Sequence, residues 1–143
     1  MALPEFQADG YLPAGVYLSD ESEVLQRFGS GNFCRRRLGL RVQTWLALAR
    51  AIRAKRFLVD GSFVTAKDEP NDVDAVIWLP DNFPDQVALR EEAAVMIEQM
   101  LVTQYPEELF PARNAKHWQE WVETFSRTRE AVDHQKGIVE VRL

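Results

Sequence analysis

The chain has 143 residues, enough for one domain with a substantial core. Hydrophobic residues make up 46% and charged residues 27%, as in an ordinary globular protein, and no apolar run approaches the ~20 residues that span a bilayer. The single cysteine, Cys34, excludes an internal disulfide and argues against a thiolate zinc site; with no basic-then-apolar secretory signal at the N-terminus, we expect a cytoplasmic protein that does not enter a membrane.

The first predicted element is an extended arm over about residues 1–18, where prolines and glycines interrupt regular structure. Ser19 then has the character of a helix N-cap, because the acidic residues that follow it suit a helix N-terminus. Gly29 ends this short predicted helix.

The longest helical pattern covers residues 33–55. Its apolar residues recur at intervals of three and four and so share one face: Leu38, Val42, Trp45, Leu46, Ala49 and Ile52. The segment from Arg35 to Arg56 holds eight basic residues and no acidic one, which leaves nine basic against 22 acidic residues elsewhere. These basic residues could contact RNA or an acidic partner, or they could form a solvated helix face with their stems packed over the core. The acidic remainder argues against broad polyanion binding.

Residues 57–79, FLVDGSFVTAKDEPNDVDAVIWL, carry the most informative pattern. Two apolar runs rich in β-branched and aromatic residues predict buried strands on either side of a polar loop. The first run ends at Gly61-Ser62, and the second opens with Asp72-Val73-Asp74. Because alternate residues of a strand point to the same face, both carboxylates are expected on one side, where they could bind a divalent cation.

The loop between these strands offers groups that suit phosphate. Gly61 lets the backbone approach a ligand closely, and the loop amides with the Ser62 hydroxyl can donate to phosphate oxygens. Lys67 could contact phosphate as a point charge, or it could be a solvated loop lysine. Thr65 belongs to the same predicted binding loop.

Two further points concern the aspartates of this stretch. Asp60 alternates with Val59 and is expected to point away from the site. A plain hairpin with turn-forming aspartates is the alternative to a metal site, but a turn does not require Asp74 inside the second strand.

An apolar run, Gly-Ser, about ten residues and Asp-apolar-Asp together resemble the signature of the DNA polymerase β-like nucleotidyltransferase superfamily. The segment GSFVTAK, followed by Pro70 and DVD, is similar to small stand-alone bacterial members of that superfamily. The resemblance implies an α/β (α+β) fold of the minimal nucleotidyltransferase-like kind, with a short mixed sheet flanked by helices. It also implies bound Mg²⁺ (or Mn²⁺) and a nucleoside triphosphate. The metal would be held by Asp72 and Asp74, and the phosphates by Gly61, Ser62, Thr65 and Lys67.

Downstream, a single helix is predicted from Asp85 to about Tyr105. Residues 107–112 fall where the superfamily pattern has a third strand, whose carboxylate serves as general base. Glu108 is the only plausible candidate for that role, although no apolar-Asp-apolar motif is present and a helix-end or surface position is the alternative. A helix over residues 114–129 and a final strand in KGIVEVRL complete the chain. Three cations near this end could reach a triphosphate: Arg127, Arg129 and Lys136.

Two functional hypotheses of different classes follow. The first is an enzyme that binds a nucleoside triphosphate with Mg²⁺ and transfers a nucleotidyl group to a hydroxyl of an RNA, a protein or a small molecule. Small stand-alone members of the superfamily often belong to toxin-antitoxin or defence pairs, so the resemblance also implies a protein partner. The second is a catalytically inert nucleotidyltransferase-like module that binds or regulates a partner, which the lack of a clear third carboxylate favours. The presence of both Asp72 and Asp74 favours the enzyme over the inert module.

A third hypothesis is an RNA-binding protein that uses the Arg35–Arg56 segment. It predicts an affinity for RNA that falls steeply as salt is raised.

Overall fold

The computed structural model describes residues 3–103, 108–128 and 134–143, which form one mixed sheet with helices on both faces. The described strands are β1 (Gly15–Ser19), β2 (Arg56–Asp60), β3 (Asp74–Trp78), β4 (Leu109–Ala112) and β5 (Gly137–Val141). The described helices are α1 (Glu21–Phe28), α2 (Phe33–Ala51), α3 (Phe83–Ala88), α4 (Glu92–Thr103) and α5 (Ala115–Phe125). The predicted α/β class, a short mixed sheet flanked by helices, is confirmed. None of these helices is long and apolar enough to cross a bilayer.

The strand order is β1-β5-β2-β3-β4. The two outer pairs, β1 with β5 and β3 with β4, are parallel, whereas β2 runs antiparallel to both β5 and β3. The two apolar runs of the central motif are therefore neighbours in the sheet. Their register places Asp60 directly opposite Asp74, so the two strand ends that carry acidic residues meet.

Side chains of β2 and β3 alternate between two cores, as the pleat requires. Phe57 and Ile77 belong to the larger core, which α1, α2 and α4 cover. Leu58 and Val76 belong to the smaller core, which contains Trp118 of α5. Because Asp60 lies two residues after Leu58 and Asp74 two residues before Val76, both carboxylates stand on the α5 face of the sheet.

The C-terminal end of the predicted arm is a strand of the sheet. This strand, β1, begins at Gly15 and pairs with β5. The assignment of Ser19 as N-cap of α1 was wrong by one residue. Ser19 is the last residue of β1, and Asp20 caps the helix by accepting a hydrogen bond from the Glu23 amide at 2.8 Å. Continued strand pairing fixes Ser19, so the next residue is the first with a side chain available for the cap.

Three predicted helices differ in extent from those in the structure: one is interrupted and two end early. The helix predicted from Asp85 is two helices, because Arg90 adopts a left-handed conformation with φ of 61° between α3 and α4. Arg53 has φ of 63° just beyond α2, which therefore stops at Ala51. A left-handed residue cannot continue a right-handed helix. The helix predicted over residues 114–129 also stops early, at Phe125, because Arg127 forms a bridge with Gln135. Tyr105, the predicted end of the helix from Asp85, lies outside the described residues, as does Arg129.

Candidate functional site

Gly61 turns the chain sharply where β2 ends. Its φ of 90° and ψ of −178° belong to a region that is essentially closed to residues with a side chain. A Cβ at this position would stand 3.1 Å from the Asp72 carbonyl oxygen, the Asp74 amide nitrogen and the Val73 Cα. Glycine is therefore required here by the backbone of the opposing strand as well as by its own torsion angles.

Ser62 fixes the carboxylate of Asp72. Its amide and its hydroxyl donate to Asp72 Oδ1 at 2.8 and 2.7 Å. The same hydroxyl oxygen accepts from the amides of Asn71 and Asp72 at 2.9 and 3.2 Å. The sequence predicted that this amide and hydroxyl would face phosphate; in the structure both orient a carboxylate instead.

Three carboxylates converge beside this corner. Asp72, Asp74 and Glu108 each offer an oxygen, and these oxygens all lie within 4.8 Å of one another. Glu108 directly precedes β4 with φ of 53°, and its carbonyl oxygen accepts the Ala75 amide at 3.1 Å. Parallel pairing of β4 with β3 thus places the residue before β4 beside the residue that opens β3.

The electrostatics of the cluster favour a cation. Burial, followed by the hydrogen bond and charge of Glu108 and the charges of Asp72 and Asp60, raises the pKa of Asp74 to about 8. Glu108 Oε2 is buried without a hydrogen-bond partner in the described part of the chain. Hard carboxylate oxygens suit Mg²⁺ or Mn²⁺, which would relieve this repulsion and occupy the unpaired oxygen. The three residues therefore fit a divalent metal.

We expect the metal-free protein to lose stability as the pH rises. Asp74 has a raised pKa in the folded state, so the stability that its proton contributes is complete below its ordinary pKa of 3.8 and lost as the pH passes about 8. Because the side chain is partly solvated, the expected loss between about pH 5 and pH 9 is ~1–3 kcal/mol. Urea unfolding in the presence of a chelator measures this change.

Asp74→Asn is expected to make the free energy of unfolding less dependent on pH. Asp81→Asn, at an exposed position, is expected to leave the pH dependence unchanged. Added Mg²⁺ is expected to reverse the slope, since the metal competes with the proton. If the free energy of unfolding changed equally with pH in the wild type and in Asp74→Asn, the pH dependence could not be assigned to Asp74.

Asp72 and Asp74 line a cleft of about 900 Å³, whereas Glu108 is close to both aspartates but does not line the cleft. Its walls are residues 8–11 of the N-terminal arm, residues 65–67 of the motif loop and the end of α5 at residues 124–125. Lys67 and Arg127 line it and form no ion pair within the described residues. A cavity of this size accommodates a nucleotide.

Asp60 corrects one prediction. It lines the cleft instead of pointing away from it, and it is 4% exposed. Lys136 Nζ, on a side chain that is 12% exposed, donates to Asp60 Oδ1 at 2.8 Å. Burial raises the pKa of Asp60, and the Lys136 charge opposes that rise. The sequence signal for this position was the hairpin itself, since pairing of the two strands puts Asp60 opposite Asp74.

Most of the predicted site residues line this cleft: Gly61, Ser62, Thr65, Lys67, Asp72 and Asp74. Thr65 is nearly buried, and its hydroxyl donates to the Ser62 carbonyl oxygen at 2.6 Å and accepts the Lys67 amide at 3.2 Å. Thr65 therefore stabilises the turn. Lys67 is exposed at the cleft, where it can reach a ligand.

The basic segment from Arg35 to Arg56 does not form one continuous cationic surface. Three of its side chains make ion pairs: Arg50 with Glu21, Lys55 with Asp81, and Arg56 with Glu140. Arg35 donates to backbone carbonyls. Four side chains have no ion pair or hydrogen bond within the part of the chain that the structure describes, and these are left for a partner: Arg36, Arg37, Arg41 and Arg53.

Comparison with known proteins gives a family without an activity. No curated protein and no solved structure matches the chain. A family model described as a family of unknown function, DUF6932, matches residues 4–142. Since this match covers nearly the whole chain, the protein belongs to the DUF6932 family.

Proposed function

We propose that this protein is a metal-dependent nucleotidyltransferase. It binds a nucleoside triphosphate with Mg²⁺ or Mn²⁺ and transfers a nucleotidyl group to a hydroxyl of an RNA, a protein or a small molecule. The observation that carries the proposal is the convergence of Asp72, Asp74 and Glu108 beside a nucleotide-sized cleft that the two aspartates line. The lack of a clear third carboxylate in the sequence favoured an inert module. Because Glu108 lies close to both aspartates, its position supports the enzyme instead.

In the proposed reaction the acceptor hydroxyl oxygen forms a bond to the α-phosphorus. The bond from that phosphorus to the oxygen bridging the α- and β-phosphates breaks, and pyrophosphate leaves. Glu108 accepts the hydroxyl proton. A bound Mg²⁺ would offset charge on the phosphates and lower the pKa of the attacking hydroxyl.

The remaining groups bind and orient. Ser62 holds the Asp72 carboxylate through two donors, so that the metal ligand is fixed before the nucleotide arrives. Lys67 and Arg127 supply positive charge toward the phosphates. Catalysis of phosphoryl-type transfer depends on this kind of positioning and charge stabilisation more than on covalent chemistry by the protein.

Thermal unfolding with each of ATP, GTP, CTP and UTP, with and without Mg²⁺, tests the binding half of the proposal. A nucleotide at about 100 times its dissociation constant stabilises by ~2.7 kcal/mol, which raises Tm by several degrees in a domain of this size. The shift is expected to require Mg²⁺ and to vanish in Asp72→Asn and Asp74→Asn. Asp81→Asn, exposed and paired with Lys55, serves as the matched control.

Pyrophosphate release with the preferred nucleotide and a mixed RNA pool, a protein extract or small-molecule acceptors tests the transfer half. Cooperative melting with no shift for any nucleotide would reject the enzyme in favour of the inert partner-binding module. A protein partner of the toxin-antitoxin type stays a prediction, which co-purification from the native host can test.

A further inference from the structure

Arg35 is set apart from the other basic residues of α2 by its contacts. Its Nη1 donates to the carbonyl oxygens of Phe28 at 3.1 Å and Phe63 at 2.9 Å. Its Nη2 donates to the carbonyl oxygens of Thr65 at 2.7 Å and of Lys67. One guanidinium thus donates hydrogen bonds to the carbonyl oxygens of residues 63, 65 and 67.

Its neighbours on the same helix end hold the next part of the loop. The Asn32 side-chain amide donates to the Asp68 carbonyl oxygen at 2.7 Å, and Cys34 Sγ donates to the Pro70 carbonyl oxygen at 2.9 Å. Between the 3₁₀ turn that ends at Val64 and the start of β3, the loop has no helix or strand to satisfy its carbonyls. The N-terminus of α2 supplies those partners, so the outer side of the loop is attached to the helix.

The inner side of the same loop is a wall of the cleft. Thr65, Ala66 and Lys67 line it, and the loop begins at Ser62, whose donors orient the metal-binding carboxylate of Asp72. Any displacement of the carbonyls that Arg35 binds would therefore move both the cleft wall and the Lys67 side chain.

We propose that Arg35 is a positioning residue that holds the loop of residues 62–70 in the form that accepts the nucleotide. The nature of the ligand rests on the proposed function. A planar guanidinium with five N–H donors can serve four carbonyls at once, whereas a lysine ammonium has three donors at a single point. The charge alone is therefore insufficient, and Arg35→Lys removes the geometry while keeping the charge.

The chain offers a matched control in Arg36. This residue is next on the helix and exposed, and its side chain makes no hydrogen bond or ion pair with any residue that the structure describes; only its backbone amide is bonded, to the Asn32 carbonyl oxygen at 3.0 Å. Arg36→Lys makes the same chemical change without touching the loop. Asn32→Asp provides a milder second variant, since it keeps the acceptor that caps α2 through the Arg35 amide but loses the donor to Asp68.

Hydrogen exchange of the wild-type protein and these variants is the first measurement. The amides of residues 63–67 donate to Asp72, Gly61, Ser62 and Gly10 carbonyl oxygens and to the Thr65 hydroxyl, so they report on loop opening. In Arg35→Lys their exchange is expected to accelerate about 10-fold or more, with a smaller acceleration in Asn32→Asp. Amides of β2 and β3 are expected to exchange as in the wild type, which distinguishes local opening from general destabilisation. Unchanged exchange at residues 63–67 would overturn the proposal.

Affinity for the Mg²⁺ complex of ATP, GTP, CTP or UTP, whichever stabilises the wild type most, is the second measurement. Arg35→Lys is expected to weaken it about 10-fold and Arg36→Lys to leave it unchanged. Faster loop exchange with unaltered nucleotide affinity would overturn the positioning role. If the wild type binds none of the four, the proposed function fails, and hydrogen exchange still decides whether Arg35 holds the loop.

Discussion

Glu108→Gln is expected to slow nucleotidyl transfer by ~10²–10⁴-fold, the usual contribution of a general base. The amide cannot accept the hydroxyl proton, whereas its shape and its contact with Asp74 are retained. Asp72 and Asp74 still offer two carboxylates, which suffice for Mg²⁺ with substrate phosphates, so binding of the nucleotide is expected to persist. Single-turnover pyrophosphate release and nucleotide-dependent Tm shifts, measured on the same preparations, separate the two effects.

Glu98→Gln is the control, because Glu98 is an exposed glutamate on α4 away from the carboxylate cluster. A variant of Glu108 that releases pyrophosphate as fast as the wild type, beside an inactive Asp72→Asn, would remove Glu108 from the chemistry. Loss of nucleotide binding together with transfer would mean that Glu108 acts only through the metal that its unpaired oxygen can bind, and the role of general base would be withdrawn.

Lys136→Met is expected to lower the free energy of unfolding by ~3–5 kcal/mol at about pH 8, because it leaves the buried Asp60 carboxylate without its partner. At about pH 5 the loss is expected to be smaller. Burial already raises the pKa of Asp60, and without the lysine the carboxyl takes up a proton more readily. An acid whose folded-state pKa lies above its unfolded value loses stability as pH rises, so the deficit of this variant grows toward alkaline pH.

Urea unfolding of three variants at both pH values checks this prediction. Lys55→Met breaks an exposed pair, in which Lys55 is 43% and Asp81 86% exposed, and is expected to cost no more than ~1 kcal/mol. The double variant Asp60→Asn with Lys136→Met is expected to recover most of the lost stability, since no buried charge remains. A Lys136→Met protein as stable as Lys55→Met would mean that the pair contributes nothing.

The strand-loop-strand unit could be predicted because its signals are local. Residue type marks both apolar runs, and Gly61, Asp72 and Asp74 stand at the ends of those runs. Alternation along the strand, used in the same way, gave the wrong prediction for Asp60, which lines the cleft. It states which residues share a face but not which face carries the site, and that is decided by strand register and by the packing of α5.

Glu108 was harder to predict because its position depends on long-range pairing. The strand β4 has four residues and includes Pro111, which argues against a strand on propensity. It lies at the edge of the sheet, where a proline is tolerated, and pairing with β3 makes up for the weak local signal. No pattern distinguishes Arg35 from Arg36 either, since only the folded loop supplies the carbonyls that Arg35 binds.

The strand order has a consequence for how the protein is made. The most C-terminal of the described strands, β5, lies between β1 and β2, so the sheet stays divided until residues 137–141 have been synthesised. The β2–β3 hairpin is local and can pair early, whereas Lys136 reaches Asp60 from 76 positions along the chain. A nascent chain on the ribosome therefore carries its acidic cluster before it has Lys136, the lysine that pairs with Asp60, and the cleft is complete only after that lysine has been added.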